Sequence, residues 1–256
     1  MAGAGIAAIV TAAGLGRRLA PLTDAIPKPF LPVAIGADGR PETALSRLLR
    51  QCGTAGLDPL WLAGSTHPWF VRMARRYPGL RVVVAPPGGE CLAVTECARA
   101  GMGAAAAVVV SGDNVVSDAD LTAFVAAARA GGDRCLVAVA PADDTRELTL
   151  VRDDDGRVAG LVEKPARGGP GLAKAGLYYL GPSAVRTALD GEPPRDRFGE
   201  ASMTELLLHL LGAGLAVHTH RLRHGFRDIG TVAGLSRAVL APVDPEPVRG
   251  AVREPR

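Results

Sequence analysis

Four short runs, "IAAIVTAA", "LRVVVAP", "AAAVVVSGD" and "RCLVAVA", are nearly continuous in apolar residues and rich in Val and Ile. Runs of this length and composition predict strands covered on both faces. Between them stand segments with helical spacing: Leu45, Leu48, Leu49 and Cys52 in one, Leu121, Phe124, Val125 and Ala128 in another. The second opens on Ser117 as N-cap with Asp120 three residues on, the arrangement of a capping box. Strands alternating with helices to about residue 140 predict a parallel, doubly wound α/β sheet. Beyond that point the pattern changes. "LTLVRDDDGRVAGLVEKP" predicts two strands around a "DDDG" turn, "AKAGLYYL" a further strand, and 203–211 a helix capped by Ser202. The economical expectation is one α/β domain over residues 1–241 on a doubly wound, mostly parallel mixed sheet, with halves at about 1–140 and 141–241. The tail from 242 to 256, rich in Pro and charge without periodicity, is expected to be disordered. No internal repeat is visible.

Composition narrows the function. The 256 residues are 48% apolar, enough for a large core. The 29 basic and 26 acidic residues leave a net charge of +3, and the cations are scattered rather than striped, so a small ligand is expected and not a nucleic acid. Cys52, Cys91, Cys97 and Cys135 show neither zinc spacing nor a CxxC pair, which fits a reducing cytoplasm. At the start, charges follow the apolar run, the reverse of a signal peptide, and no apolar stretch approaches the roughly 20 residues of a membrane span. His218 and His220 share a face of a predicted strand and His224 follows. With no further ligand at useful spacing, the expectation there is a solvated strand and not a metal cluster.

In an open α/β sheet the ligand crevice lies at the carboxyl ends of the strands. Gly14 and Gly16 come directly after the first run, where the backbone must turn and can offer bare N–H groups to a phosphate. A dinucleotide fingerprint would want a third glycine where Leu19 stands, and a Walker A loop would want Gly-Lys-Ser/Thr where Gly16, Arg17 and Arg18 stand. Lys28 sits between Pro27 and Pro29, which predicts an extended, stiffened backbone under its amine.

The string Gly14-Leu15-Gly16-Arg17-Arg18-Leu19-Ala20-Pro21-Leu22-Thr23, then Pro27-Lys28-Pro29, resembles the signature of the sugar-phosphate nucleotidylyltransferases, a family typified by glucose-1-phosphate thymidylyltransferase. One departure within it is Arg17, where that family commonly has Thr or Ser. The resemblance continues through "VVVSGDN", "LVEKP", "AGLYYL" and "FRDIGT", in family order across about residues 6 to 240. It implies a Rossmann-like nucleotidyltransferase fold with a small sugar-binding β-rich lobe. It also implies a reaction in which a sugar or cyclitol 1-phosphate attacks the α-phosphorus of a nucleoside triphosphate and expels pyrophosphate, a step carried by positioning and charge neutralisation.

Residue by residue, the resemblance implies a nucleotide site at Ala12, Ala13, Gly14, Gly16, Arg18, Gly88 and Gly89. Arg18 would hold the triphosphate, and Lys28 would neutralise charge where nucleophile and α-phosphate meet. Asp113 and Asp228 would hold Mg²⁺, a hard cation suited to carboxylate and phosphate oxygens. Glu163, Lys164, Gly176 and Arg197 would take the sugar phosphate. Departures fall where sugar and base are chosen. "ELT", with Leu148, replaces "YGV", and Ala85 followed by "PPGGE" replaces a base-reading Gln before a "PDG" turn. Two alternatives are carried along. A phosphocholine- or phosphonate-type cytidylyltransferase shares the glycine loop and aspartates, although "EKP" and "AGLYYL" favour sugar. A non-catalytic nucleotide-sugar-binding regulator would be free to lose Arg18, Lys28, Asp113 and Asp228, all of which are present. Because the chain closes soon after the helix following "DIGT", the left-handed β-helix domain of some relatives is not expected here. Base, sugar and oligomeric state, homo-oligomer included, are left open.

Overall fold

A computed structural model describes residues 5–36, 39–197, 199–241 and 243. The expected disordered tail lies outside the described residues apart from Val243. The chain opens with β1 (Ala7–Thr11), a short helix α1 (Leu22–Ala25) and the hairpin β2 (Pro32–Ile35) and β3 (Pro41–Thr43). Then α2 (Ala44–Thr54), β4 (Leu60–Gly64), α3 (Pro68–Arg76), β5 (Arg81–Val84) and α4 (Glu90–Cys97) wind to β6 (Ala107–Ser111). A short β7 (Asn114–Val116), α5 (Asp118–Gly131) and β8 (Cys135–Ala142) follow. The second half adds β9 (Thr149–Asp154), β10 (Arg157–Glu163), the long β11 (Gly171–Leu180), α6 (Pro182–Leu189) and α7 (Met203–Gly212). It closes with β12 (Val217–Arg221), β13 (Phe226–Asp228) and α8 (Val232–Leu240).

The main sheet runs β5-β4-β1-β6-β11-β8-β12-β10-β9. β5, β4, β1 and β6 are mutually parallel, β11 inserts antiparallel between β6 and β8, and β12 returns parallel to β8. Alternate residues feed two cores, as strand geometry requires. Ala7 and Ile9 of β1 face α4, α6 and α7, while Ala8 and Val10 face α2, α3 and α5. The same split along β8 explains its unbroken apolar run: both faces are covered.

Several local expectations are met for local reasons. Ser202 accepts a hydrogen bond from the Glu205 N–H and starts α7. The turn between β9 and β10 consists of Asp155 and Gly156, both at positive φ (47° and 79°), as a two-residue hairpin requires. Others are corrected. The run "LRVVVAP" is the sheet's edge strand β5 and is half-exposed, not buried. β4 was not signalled at all: the five residues Leu60–Gly64 are too few to show a period. At α5, Ser117 caps the Asp120 N–H at 3.0 Å, but the Asp120 carboxylate does not complete the box. It turns away to accept from the Arg223 and His224 N–H groups at 2.8 and 2.9 Å, latching the segment that leads into β13.

All four cysteines are unpaired and fully buried, and burial pushes the Cys52 thiol up to about 12 and those of Cys91 and Cys135 up to about 11. A thiolate is the reactive form. Iodoacetamide at neutral pH should therefore leave the native protein unlabelled and react only after denaturation; labelling of native Cys52 would contradict this packing. Among the described residues no helix is long and apolar enough to cross a membrane.

Candidate active site

β1 and β6 lie side by side and parallel, so the loops leaving their carboxyl ends share one crevice. Their ends approach closely. The Gly112 N–H donates to the Thr11 carbonyl at 2.8 Å, and a Cβ on Gly112 would lie 2.5 Å from that oxygen, so only glycine fits before Asp113. After β1, Gly16 adopts φ 65° and its carbonyl accepts from the Thr23 hydroxyl at 2.9 Å, which folds the loop back on itself. Gly14 differs: a Cβ there would meet no protein atom within 4 Å, so protein packing does not require glycine at this edge of the larger cavity.

Lys28 departs from the extended conformation expected of a residue before proline. It heads a single 3₁₀ turn, Lys28–Phe30, anchored by Phe30, which packs on Trp69 and Phe70 with ring centroids 5.4 and 5.1 Å away. The turn aims the Lys28 Nζ at the Asp113 Oδ2, and the two groups form a short ion pair. Asp228 arrives from the other side. β13 pairs with β7 so that Asp228 stands opposite Asn114, and the Ile229 N–H donates to the Asp113 carbonyl at 2.9 Å. Two carboxylates 115 positions apart in the chain thus meet beside one amine. Burial disfavours charge on all three, and the balance differs. The Asp113 carboxylate overcomes it at Lys28, whose amine is held above its ordinary value. Lys28 overcomes it at Asp113, whose carboxyl is held below. At Asp228, burial and the neighbouring Asp113 charge push the carboxyl up against the Gly230 N–H, which donates to it at 2.5 Å.

Two cavities join at this cluster. The larger, about 580 Å³, is lined by Ala12, Ala13, Gly14, Gly16, Gly88 and Gly89 together with the cations Arg17, Arg18, Lys28 and Lys164. The smaller, about 290 Å³, is lined by Thr149, Glu163, Lys174, Gly176 and Tyr178 among others. Arg18, Glu90, Asp113 and Lys164 border both. Lys164 reaches that border from φ 44°, unusual for a side chain other than glycine's and the kind of backbone strain that gathers at ligand sites.

The structure therefore brings together all but one of the residues singled out in the sequence. Arg197 does not border either cavity; it lies on an exposed turn and donates to the Lys164 carbonyl at 3.4 Å. Gly89 lines both cavities, yet its need for glycine is internal, since a Cβ would lie 2.2 Å from the Ala201 carbonyl oxygen. Ala85 is buried and contributes no side chain to the crevice. The histidines scatter: His220, half-buried, packs edge-on against Phe124 at 5.4 Å, and His224 sits beside Ser117 and Asp120. Among the described residues no group of three or more His, Cys, Asp or Glu could hold a metal.

Sequence reasoning missed Glu90 and Lys174. Lys174 donates to the Thr204 hydroxyl at 2.8 Å, which in turn donates to the Glu163 Oε2 at 2.9 Å. Burial lowers the Lys174 amine against the opposing pull of Glu90 and Glu163. The available signal was a lysine inside the otherwise apolar "LAKAGLYYL".

Comparison with known proteins agrees with this architecture. A glucose-1-phosphate thymidylyltransferase of Streptomyces griseus is 30% identical over 251 residues, covering 93% of this chain and 67% of that protein. A protein of the same name from Streptomyces antibioticus is 35% identical over 105 residues, which span 40% of this chain and 29% of the relative's length. The solved structure of a candidate glucose-1-phosphate thymidylyltransferase from Bacillus anthracis superposes with a TM-score of 0.78 at 21% identity. It covers 94% of this chain and 96% of its own, a likeness of fold. The nucleotidyl transferase family model matches residues 84–242, from the edge strand through Asp113, the smaller cavity and Asp228, and the chain belongs to that family.

Proposed function

We propose that this chain is an enzyme that condenses a nucleoside triphosphate with a sugar or cyclitol 1-phosphate, giving a nucleotide-sugar and pyrophosphate. The observation that carries the reading is the Lys28–Asp113–Asp228 cluster, in which Lys28 lines the larger cavity, Asp228 the smaller and Asp113 both. A phosphate oxygen of the acceptor forms the new bond to the α-phosphorus, the α–β P–O bond breaks, and pyrophosphate leaves with the electron pair. The glycine loop and Arg18 hold the triphosphate in the larger cavity. Lys28 places its amine where the two substrates meet and neutralises charge that accumulates there in the transition state. Lys164, on the border of both cavities, takes the acceptor phosphate, and Glu163 faces the ring.

The donor set fits Mg²⁺. Two hard carboxylates are forced together by main-chain pairing, and the resulting like-charge strain at Asp228 is what a divalent cation relieves. Asp113 and Asp228 would hold the ion, which when bound neutralises and orients phosphate oxygens. Lys28 already compensates one of the two charges and keeps the pair folded.

Pyrophosphate release tests the reading: each common nucleoside triphosphate, dTTP included, mixed with a panel of sugar 1-phosphates, inositol 1-phosphate, phosphocholine and 2-aminoethylphosphonate. Release is expected with a ring phosphate. Release with phosphocholine or the phosphonate alone would establish the cytidylyltransferase alternative, and nucleotide-sugar binding without release the regulator. Lys164→Ala should raise KM for the acceptor about tenfold or more while leaving that for nucleotide within about twofold, since it deletes a charge partner of one substrate. Equal rises for both substrates would remove Lys164 from the acceptor phosphate.

A further inference from the structure

The floor of the smaller cavity carries two charged side chains that the reaction does not use. Lys174 stands on β11 where the register against β8 shifts, between Lys174 and Tyr178. Gly176 makes that shift possible: it adopts φ 55°, and a Cβ there would lie 2.7 Å from the Asn114 amide and 2.8 Å from the Ser111 hydroxyl. The Lys174 Nζ spends one donor on Thr204 and lies 5.5 Å from the Tyr178 ring centroid. Among the described residues it forms no ion pair. An ammonium has three N–H donors, so two remain for other acceptors, and Lys174 lines the smaller cavity. Glu90, the first residue of α4, accepts at Oε1 from the Ser111 and Thr11 hydroxyls. Its Oε2 has no protein partner among the described residues, and Glu90 lines both cavities.

Lys174, Glu90 and Glu163 line the same cavity and interact electrostatically, so a ring substituent held here meets both the amine and the carboxyl groups. An ammonium could donate to the carboxylates, but it has no lone pair for Lys174 and faces a like charge. A carboxylate could accept from Lys174 but confronts two of its own kind. A hydroxyl both accepts and donates, so it satisfies both sides without a charge clash. We propose that Glu90 and Lys174 are the specificity-determining pair of the acceptor cavity, gripping a ring hydroxyl between them. They thereby select neutral, fully hydroxylated sugar or cyclitol phosphates over amino, deoxy and carboxylated ones. The proposal rests on the smaller cavity being the acceptor site.

The test compares wild type, Lys174→Met and Glu90→Gln on glucose 1-phosphate, its monodeoxy analogues, glucosamine 1-phosphate, glucuronic acid 1-phosphate and myo-inositol 1-phosphate. It reads kcat/KM for pyrophosphate release and, separately, calorimetric binding of the same phosphates without nucleotide. Wild type should prefer a neutral ring by about 10² or more over its amino and carboxylate counterparts, and removal of the gripped hydroxyl should lose about 10⁴. Lys174→Met should narrow the neutral-to-amino ratio at least tenfold, and Glu90→Gln should do the same for the neutral-to-carboxylate ratio. Should Lys174→Met not fold by thermal melting, Lys174→Gln takes its place, and Glu90→Gln is close to isosteric. Equal losses for every acceptor in both variants, or a wild-type preference for an amino or carboxylated ring, would overturn the proposal and leave the transfer reaction standing. Absence of release with a calorimetric preference that the variants abolish would overturn the reaction and leave the pair; absence of both release and preference would overturn both.

Discussion

Lys28→Met should lower kcat by about 10²–10³, the scale of one lost transition-state donor, with KM for both substrates changed far less. The same substitution should lower stability, because the Lys28 side chain is only 13% exposed and its Asp113 partner 25% exposed. Removing one member of such a pair leaves an uncompensated charge, and Asp228 adds a second carboxylate to the same spot. A cost of about 3 kcal/mol is expected in the presence of a chelator. The double variant Lys28→Met/Asp113→Asn should regain most of that stability and none of the activity, which separates the folding role of the amine from its role in transfer. Both readouts are accessible: thermal or urea melts for stability and pyrophosphate release for turnover. Near-normal kcat in Lys28→Met would remove the lysine from the transfer step.

The second large effect concerns the two aspartates. Asp113→Asn and Asp228→Asn should each lower kcat/KM by about 10² or more. The double variant should be little worse than the worse single, because groups that serve one ion act as a unit. Raised Mg²⁺ should partly restore each single variant, since weakened coordination is a mass-action defect. A second measurement does not depend on turnover. Part of the upward push on the Asp228 carboxyl comes from the Asp113 charge, so Asp113→Asn should move the Asp228 titration down toward the ordinary aspartate value, followed by carbon-detected NMR. The sign matters: a downward move means that the two carboxylates feel one another, whereas burial alone would leave Asp228 raised. Multiplicative losses with no magnesium response and an unmoved Asp228 would mean that the two side chains serve no common site.

What the sequence determined was everything written in neighbouring residues. Ser202 caps α7 because a hydroxyl can reach an N–H three positions on, and Asp155-Gly156 turns because those residues tolerate positive φ. The apolar runs became strands of a doubly wound sheet because two helical layers cover their faces. Gly14 and Gly16 were legible as candidates because ligands in such sheets gather where strands end, and Asp113 and Asp228 were candidates through the family resemblance. Tertiary structure decided the rest, because the missing information was a partner far away in the chain. β5 is half-exposed only because it falls at the edge of the sheet, and its composition does not differ from that of a central strand. Gly89 needs to be glycine on account of Ala201, and Arg197 turns to the Lys164 backbone instead of the cavity. Lys28 and Asp113, 85 positions apart, are joined by the anchoring of Phe30 and by the close approach of β6 to β1 at Gly112. Lys174 reads in the sequence as an oddity in an apolar strand; only the tertiary structure sets it beside Thr204 and near Glu90 and Glu163. Backbone propensity and capping are local energies, whereas the meeting of charges in a crevice follows from sheet order, register and bulges, which no single stretch of sequence contains.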